Sequence, residues 1–525
     1  MSDHTGAAQT PFFPDRFAAE RPDRAAVIMA ASGEILTYRE LDEISNRIAN
    51  LFRMRSIMRG DHVALLMPNS ALFFGVAWAC QRSGLYFTPI NTRFTAKESA
   101  YIIRDCGAKA LIVSADFRQK GEELARETFP ALILRLSVHG EIRNFEPLES
   151  MIEELPEVPV DDQSEGSAMI YSSGTTGRPK GIKRPLPESG SGRSDLFLQK
   201  LSQLYDWGEE TVYLCPAPTY HGAGLWYTMA MHRIGAMAVV MEKFTPEGFL
   251  GAVEKYAVTD TQVVPTMFVR LLKLPKGQRA AYDLSSLKTV IHAAAPCPVD
   301  VKERMIEWLG PIIYEYYAAT EANGYTFITP GEWLAHKGSV GRPMIGDVHI
   351  VGPDGDECAP GRTGMIYFGG HTPFSYHNDR DKTEEARHPK GWTTVGDIGY
   401  VDEDGYLYLT DRKAFTIISG GVNIYPQEIE DLLIAHPDVL DAAVFGVPDA
   451  EYGEQVKAVV QLVDGTRAGG EMEAGLIAYC RESLATHKCP RSVDFLDELP
   501  RDENGKLYKL ELRRRYWSDN GELPR

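Results

Sequence analysis

The run Tyr171-Ser172-Ser173-Gly174-Thr175-Thr176-Gly177-Arg178-Pro179-Lys180-Gly181 gathers hydroxyls, glycines and a lysine directly behind the apolar stretch Ala168-Met169-Ile170. Glycines let backbone N–H groups turn toward an anion, hydroxyls donate further hydrogen bonds, and the lysine adds a point charge. This is equipment for holding phosphate. It is not the G-x-x-x-x-G-K loop of common nucleotidases, because Pro179 stands where that pattern needs glycine. By composition alone the run suits a mobile polar loop equally well.

Further along, Tyr316-Tyr317-Ala318-Ala319-Thr320-Glu321, Ala293-Ala294-Ala295-Pro296, Trp392-Thr393-Thr394-Val395-Gly396-Asp397, Asp411-Arg412-Lys413-Ala414 and Pro500-Arg501-Asp502-Glu503-Asn504-Gly505-Lys506 carry the other candidate groups. Taken singly, Tyr316 and Tyr317 read as core aromatics, Gly396-Asp397 as a turn, and Asn504-Gly505-Lys506 as a hairpin with a solvated lysine. Their joint order decides otherwise. From Leu36-Thr37-Tyr38-Arg39-Glu40-Leu41 to Asn504-Gly505-Lys506, over nearly the whole chain, the blocks resemble those of the adenylate-forming (AMP-binding) superfamily, in its acyl-CoA synthetase branch.

The resemblance implies a set of roles. Ser172, Ser173, Gly174, Thr175, Thr176, Gly177 and Lys180 would hold the phosphates of ATP, and Ala295, Pro296, Tyr316 and Tyr317 would surround adenine. Thr320 would meet the α-phosphate, while Glu321 with Ser172 would hold Mg²⁺. Asp397 would accept both ribose hydroxyls, Arg412 would contact the ribose, and Lys506 would bridge the carboxylate and α-phosphate. Ala414 would be the pivot between domains, although the family usually places lysine or aspartate there. Ala318 likewise stands where relatives carry glycine, and Ala293-Ala294-Ala295-Pro296 stands where they carry a G-G-A-P-like turn.

Ser419, Gly420 and Gly421 resemble the thioester-forming segment beside the thiol tunnel of coenzyme A. Pro218-Thr219-Tyr220-His221-Gly222 resembles the block that separates acyl pocket from tunnel, with His221 as a gate, Tyr220, Trp226 and Tyr227 beside it, and Val264 to Phe268 as the opposite wall. This lining suggests a hydrophobic acid, a medium- or long-chain fatty acid before an aromatic or polycyclic one. The chain stops at Arg525 without a carrier domain or G-x-D-S motif, which favours CoA over a carrier protein as acceptor. An inactive nucleotide- or acyl-binding sensor is the non-enzymatic alternative, disfavoured by the joint presence of Lys506, Glu321, Asp397 and Arg412.

These groups need a large scaffold. Apolar runs at Ala25–Ile28, Val63–Leu66, Ala110–Val113, Ala238–Met241, Gln262–Val264 and Thr289–Ile291 alternate with helix-like stretches such as Tyr38–Arg53. The expected fold is α/β. A large compound N-terminal domain over residues 1–411 comprises two α/β subdomains with packed sheets plus a small β-barrel or meander around 338–410. A small mobile α+β domain follows over 412–525, hinged near 412–414. The formal charge of −18 on 525 residues argues against a nucleic-acid or anionic-membrane partner, so local groups must hold any anion.

Seven cysteines without a C-x-x-C pair suggest neither zinc nor disulfides. The apolar stretch Ala71–Cys80 is about half the ~20 residues of a membrane span. No targeting segment is readable, a cytoplasmic setting is expected, and a homo-oligomer is left open. If Lys506 carries the bridging role, Lys506→Ala slows acid-dependent exchange of pyrophosphate into ATP by at least about 10²-fold, the scale of one lost preorganised charge; unchanged exchange excludes the role.

Overall fold

The computed structural model describes residues 13–172, 179–186, 196–370, 374–501 and 507–517. Within them a nine-stranded sheet runs in the order Arg342–Ile345, Tyr325–Ile328, Ile313–Ala318, Thr289–His292, Asp260–Val263, Val212–Cys215, Met237–Val240, Ala25–Met29, Ile35–Thr37. Its inner strands are parallel, and antiparallel strands close both edges. A second, six-stranded sheet is parallel throughout and is built on His62–Leu66, flanked by Tyr86–Pro89 and Ala108–Ser114. Strands covered on both faces read as continuous apolar runs, which is why His62–Leu66 is buried along its whole length.

The helices Tyr38–Met54, Ala71–Arg82 and Gly222–Arg233 contribute to a single core with residues of both sheets, among them Val63 and Leu65 from one and Val27, Cys215 and Val240 from the other. Thr37 opens the first helix with a capping box: its Oγ1 accepts from Glu40 N at 3.2 Å, and the Glu40 carboxylate accepts from Thr37 N at 2.8 Å. Ala71–Arg82, too short to span a bilayer, is buried all round. It ends on the fully buried Arg82, which donates to Asp42 Oδ1 at 2.7 Å and to Asn46. Among the described residues no helix is long and apolar enough to cross a membrane.

The β-rich stretch between 338 and 412 forms a four-stranded antiparallel sheet of Asp347–Val351, Gly364–Gly369, Asp397–Val401 and Leu407–Arg412. The chain then leaves this sheet. A short helical turn, Lys413–Phe415, leads into Ile417–Ser419, which belongs to a separate five-stranded sheet carrying the helices Pro426–Ala435, Gly470–Ser483 and Lys509–Trp517. This smaller unit touches the larger one where Lys273 Nζ donates to Val439 O at 2.9 Å and Arg93 Nη1 to Arg501 O at 3.0 Å.

Close packing between the large sheet and the four-stranded one leaves no room at Gly324. A β-carbon there would lie 1.9 Å from Cδ1 of the buried Phe368. Gly324→Ala is expected to lower stability by about 1–3 kcal/mol through overpacking, read as a shift in the denaturant midpoint; a midpoint equal to wild type shows that the two sheets slide freely.

Candidate active site

In an open parallel sheet, ligands gather beyond the carboxyl ends of the strands. Here the segments after Val212–Cys215, Asp260–Val263, Thr289–His292 and Ile313–Ala318 all line one cleft of about 3060 Å³, through Pro218, Thr266, Ala295 and Thr320 respectively. The smaller unit supplies its other wall, with Ile418, Asn423, Arg501 and Leu507. The volume is several times the ~300–1,000 Å³ of an ordinary small-molecule pocket, so more than one ligand fits.

Asp397 occupies the join between the sheets. Its Oδ2 accepts from Tyr317 OH at 2.6 Å and its Oδ1 from Arg412 Nε at 2.9 Å. Tyr317 sits on the last parallel strand of the large sheet, and Asp397 and Arg412 face each other across two strands of the small one. Burial, reinforced by the Asp397 charge, pushes the Tyr317 phenol well above its ordinary range, so it stays a donor. The Asp397 charge likewise raises Arg412. Each carboxylate oxygen keeps a further lone-pair direction for another donor.

Beside this staple, Glu321 is buried and its Oε1 accepts from Tyr376 OH at 2.8 Å, while Arg184 donates to Thr320 O at 3.0 Å. Lys180 Nζ lies 3.1 Å from Asp379 Oδ2 and over the Tyr376 ring. The cations Lys180, Arg184 and Arg412 thus line the cleft, each beside a carboxylate: Asp379, Glu321 and Asp397 respectively. Tyr171–Ser172 and Lys180–Lys183 pair as a hairpin stem, Ser172 opposite Lys180. Ser173, Gly174, Thr175, Thr176 and Gly177 fall between them, outside the described residues, and so does Lys506, whose described neighbours Arg501 and Leu507 line the cleft.

Strand alternation separates the two tyrosines expected beside adenine. Tyr317 turns to Asp397, whereas Tyr316 turns to the opposite face, its ring stacked on Tyr325 at 4.9 Å. Tyr220, His221, Trp226 and Tyr227, which the resemblance put together, all line the cleft, Tyr227 lying 6.1 Å from Tyr316. The expected opposite wall is only partly there. Pro265, Thr266 and Met267 line the cleft, but the Phe268 ring packs against His292 in the core, 5.3 Å between centroids, because helix Pro265–Lys273 buries that face. Asn69, which the sequence did not single out, clamps the Pro218–His221 turn: it donates to Ala217 O at 3.0 Å and Met241 O at 2.8 Å and accepts from Thr219 N at 2.8 Å.

Ala295 and Pro296 line the cleft as expected, and the preceding Ala294 takes φ +74°. That left-handed geometry costs a non-glycine residue roughly 1–2 kcal/mol. Ala414 lies exposed in the turn Lys413–Phe415 at the edge of the cleft. Ser419, Gly420 and Gly421 lie away from it, at the tip of a hairpin, with both glycines at positive φ (+57° and +80°).

Below the Ala294 loop, Glu315 Oε2 meets Lys302 Nζ at 2.6 Å and His292 Nε2 at 3.3 Å, with Lys302 and His292 fully buried. Burial pushes the Glu315 carboxyl up, but His292 and Lys302 outweigh it and hold it at about 2; burial keeps His292 below its ordinary value.

Two family models match: "AMP-binding enzyme" over residues 14–376 and "AMP-binding enzyme C-terminal domain" over 428–506. A feruloyl-CoA synthase of Amycolatopsis sp is 34% identical, with 96% of this chain and 98% of that protein covered. A fatty acid–[acyl-carrier-protein] ligase, ScoC of Streptomyces coeruleorubidus, is 30% identical over 96% of this chain and 95% of its own. Among solved structures, ATP-bound MatB from Rhodopseudomonas palustris superposes with a TM-score of 0.81 at 28% identity, covering 98% of this chain and 100% of that one.

Glu315→Gln would leave Lys302 buried without its counter-charge and should cost about 3–5 kcal/mol at neutral pH. Since Glu315 sits at about 2 when folded against an ordinary 4.5, its stabilisation is complete above 4.5 and is lost as pH falls through the folded value. The stability gap between wild type and variant, measured by denaturant unfolding, should therefore narrow from pH 4.5 to 2; a constant gap refutes the pairing.

Proposed function

The chain belongs to the AMP-binding enzyme family as an AMP-forming acid–thiol ligase, and we propose that it adenylates a hydrophobic carboxylic acid and passes the acyl group to coenzyme A. The observation that carries this reading is the shared cleft. Thr320, Glu321, Asp397, Arg412 and Lys180 gather at one pole, the aromatic lining stands at the other, and the residues flanking Lys506 close the wall from the smaller unit.

A carboxylate is a poor acyl donor because its leaving group would be oxide. In the proposed first step a substrate carboxylate oxygen bonds to the α-phosphorus of ATP as the bond to the bridging β-oxygen breaks, and pyrophosphate leaves with the electron pair. Lys506, Lys180, Arg184 and the Thr320 hydroxyl stabilise the charge gathering on phosphate oxygens. Asp397 takes the ribose hydroxyls on its remaining lone pairs, with Tyr317 and Arg412 fixing its plane. Glu321 fits Mg²⁺: it offers a buried carboxylate oriented by Tyr376, and this ion needs few protein oxygens because it retains waters. Bound there, the ion would neutralise phosphate charge.

In the second step the CoA thiol loses its proton to solvent, sulfur bonds to the acyl carbon, and AMP departs with the electrons of the mixed-anhydride bond. The hairpin tip Ser419-Gly420-Gly421 is proposed to reach the acyl-adenylate only when the smaller unit turns about Ala414, since it lies outside the cleft here. The chain changes sheets between Arg412 and Ile417, so a turn at Ala414 leaves the Asp397–Arg412 pair in place.

AMP release that requires both acid and CoA tests the ligase reading, and release with acid alone or with neither removes CoA from it. Ala414→Pro, which fixes φ near −65°, is expected to leave single-turnover adenylation within about threefold while lowering thioester formation by at least about 10²-fold, the cost of losing a required conformational step; equal loss in both half-reactions moves the pivot elsewhere.

A further inference from the structure

Asp105 lies outside the cleft, at the last position of helix Ala96–Asp105, which packs on the six-stranded sheet, yet it bonds to two segments that reach into the cleft. An acid is poorly placed there by local rules, because the C-terminal end of a helix disfavours negative charge. Its partners offset that cost. Oδ2 accepts from Tyr171 OH at 2.6 Å. The backbone oxygen of Asp105, one of the carbonyls that a helix end leaves unsatisfied, accepts from His377 Nε2 at 2.9 Å and from Asn378 Nδ2 at 3.1 Å. Burial, joined by the Cys106 thiol and the Asp105 carboxylate, pushes the Tyr171 phenol above its ordinary range, so it remains a donor.

These bonds act on a small sheet of three strands, Tyr171–Ser172, Lys180–Lys183 and Ser375–Tyr376. Tyr171 lies opposite Gly181, whose carbonyl accepts from His377 N at 2.8 Å. The middle strand brings Lys180 to the cleft, and the outer one brings Tyr376, whose hydroxyl donates to Glu321 at 2.8 Å. Strands this short pair too weakly to hold their own position, so the sheet takes its place from what moors it. Tyr86 OH moors the far end by donating to Arg184 O at 2.6 Å, and Asp105 moors the end that carries Lys180. We propose that Asp105 is a positioning residue for ATP: from outside the cleft it holds the Lys180 strand and the Tyr376–Glu321 pair in one register, so that the cation and the carboxylate serving the phosphates keep their spacing. The proposal rests on the ligase reading. Its side-chain half works through Tyr171 alone, on nucleotide binding and not on the acid.

The test titrates ATP with Mg²⁺ into the full chain by calorimetry, and follows AMP release with CoA and the best used of ferulate, benzoate and octanoate. Asp105→Ala and Tyr171→Phe should each weaken ATP binding about 10-fold at unchanged stoichiometry and raise the ATP KM by a similar factor, the scale of one lost hydrogen bond to a charged acceptor, while the KM of the acid stays within about twofold. The double variant should be no weaker than either single by more than about twofold, because all three lose the same bond. Asp105→Asn, whose amide oxygen still accepts the phenol proton, should stay within about threefold of wild type. If Asp105→Ala does not fold, Tyr171→Phe and Asp105→Asn decide between them. ATP affinity equal to wild type in Tyr171→Phe, additive losses in the double variant, or Asp105→Asn as weak as Asp105→Ala overturns the role. A lowered thermal midpoint with unchanged ATP affinity, the mark of a merely structural contact, overturns it too. AMP release absent with every acid while ATP still binds removes the ligase reading instead, and the titrations then decide Asp105 by themselves.

Discussion

The carboxylate of Asp397 is the point on which the site depends. One oxygen is held by a phenol of the large parallel sheet and the other by a guanidinium from the last strand of the small one. Charge-assisted hydrogen bonds of this kind are short and directional, so a single side chain fixes how two sheets meet and which way its own plane faces. The pairing also sits immediately before the point at which the backbone crosses to the smaller unit, so the position of that unit is set relative to a fixed reference.

The second organising constraint is the period-two alternation of a strand. Tyr314 and Tyr316 face the aromatic side, packing against Tyr205 and Tyr325, whereas Glu315 and Tyr317 face Lys302 and Asp397. One strand therefore sends consecutive side chains to the buried Lys302–His292 cluster, to Asp397 and to the aromatic side. Relative orientation of the two poles needs no loop to maintain it. Loops carry Pro218, Ala295 and Thr320 into the cleft, the first held by Asn69, whose amide is satisfied at both ends.

Much of this was legible in the sequence because it lies in contiguous blocks. Asp397, Arg412, Thr320 and Glu321 stand in short ordered motifs, and the parallel sheets announce themselves as apolar runs between helices. What escaped notice reaches the cleft through topology. Tyr376 arrives on a strand paired with Ile182, Asn69 from the other sheet, Arg184 from just past the Lys180–Lys183 strand, and Tyr325 from an antiparallel strand one in from the edge. None has a local signal. The opposed directions of Tyr316 and Tyr317 did have one, the alternation itself, but a block match treats neighbours as equivalent. Phe268 was read as wall because aromatic type does not say which side of a helix is buried.

The left-handed alanine at position 294 bears on how this chain can vary. Its methyl group already occupies a backbone geometry that β-branched and bulky residues avoid, so the neighbourhood of accessible substitutions there shrinks to glycine, asparagine, aspartate and the alanine itself. Drift at that position is thereby confined to residues that either remove a small side chain from the edge of the cleft or add a polar one. A chain under selection for a different ligand would have to explore its options elsewhere, on the regular strand faces, where any side chain of fitting volume is allowed.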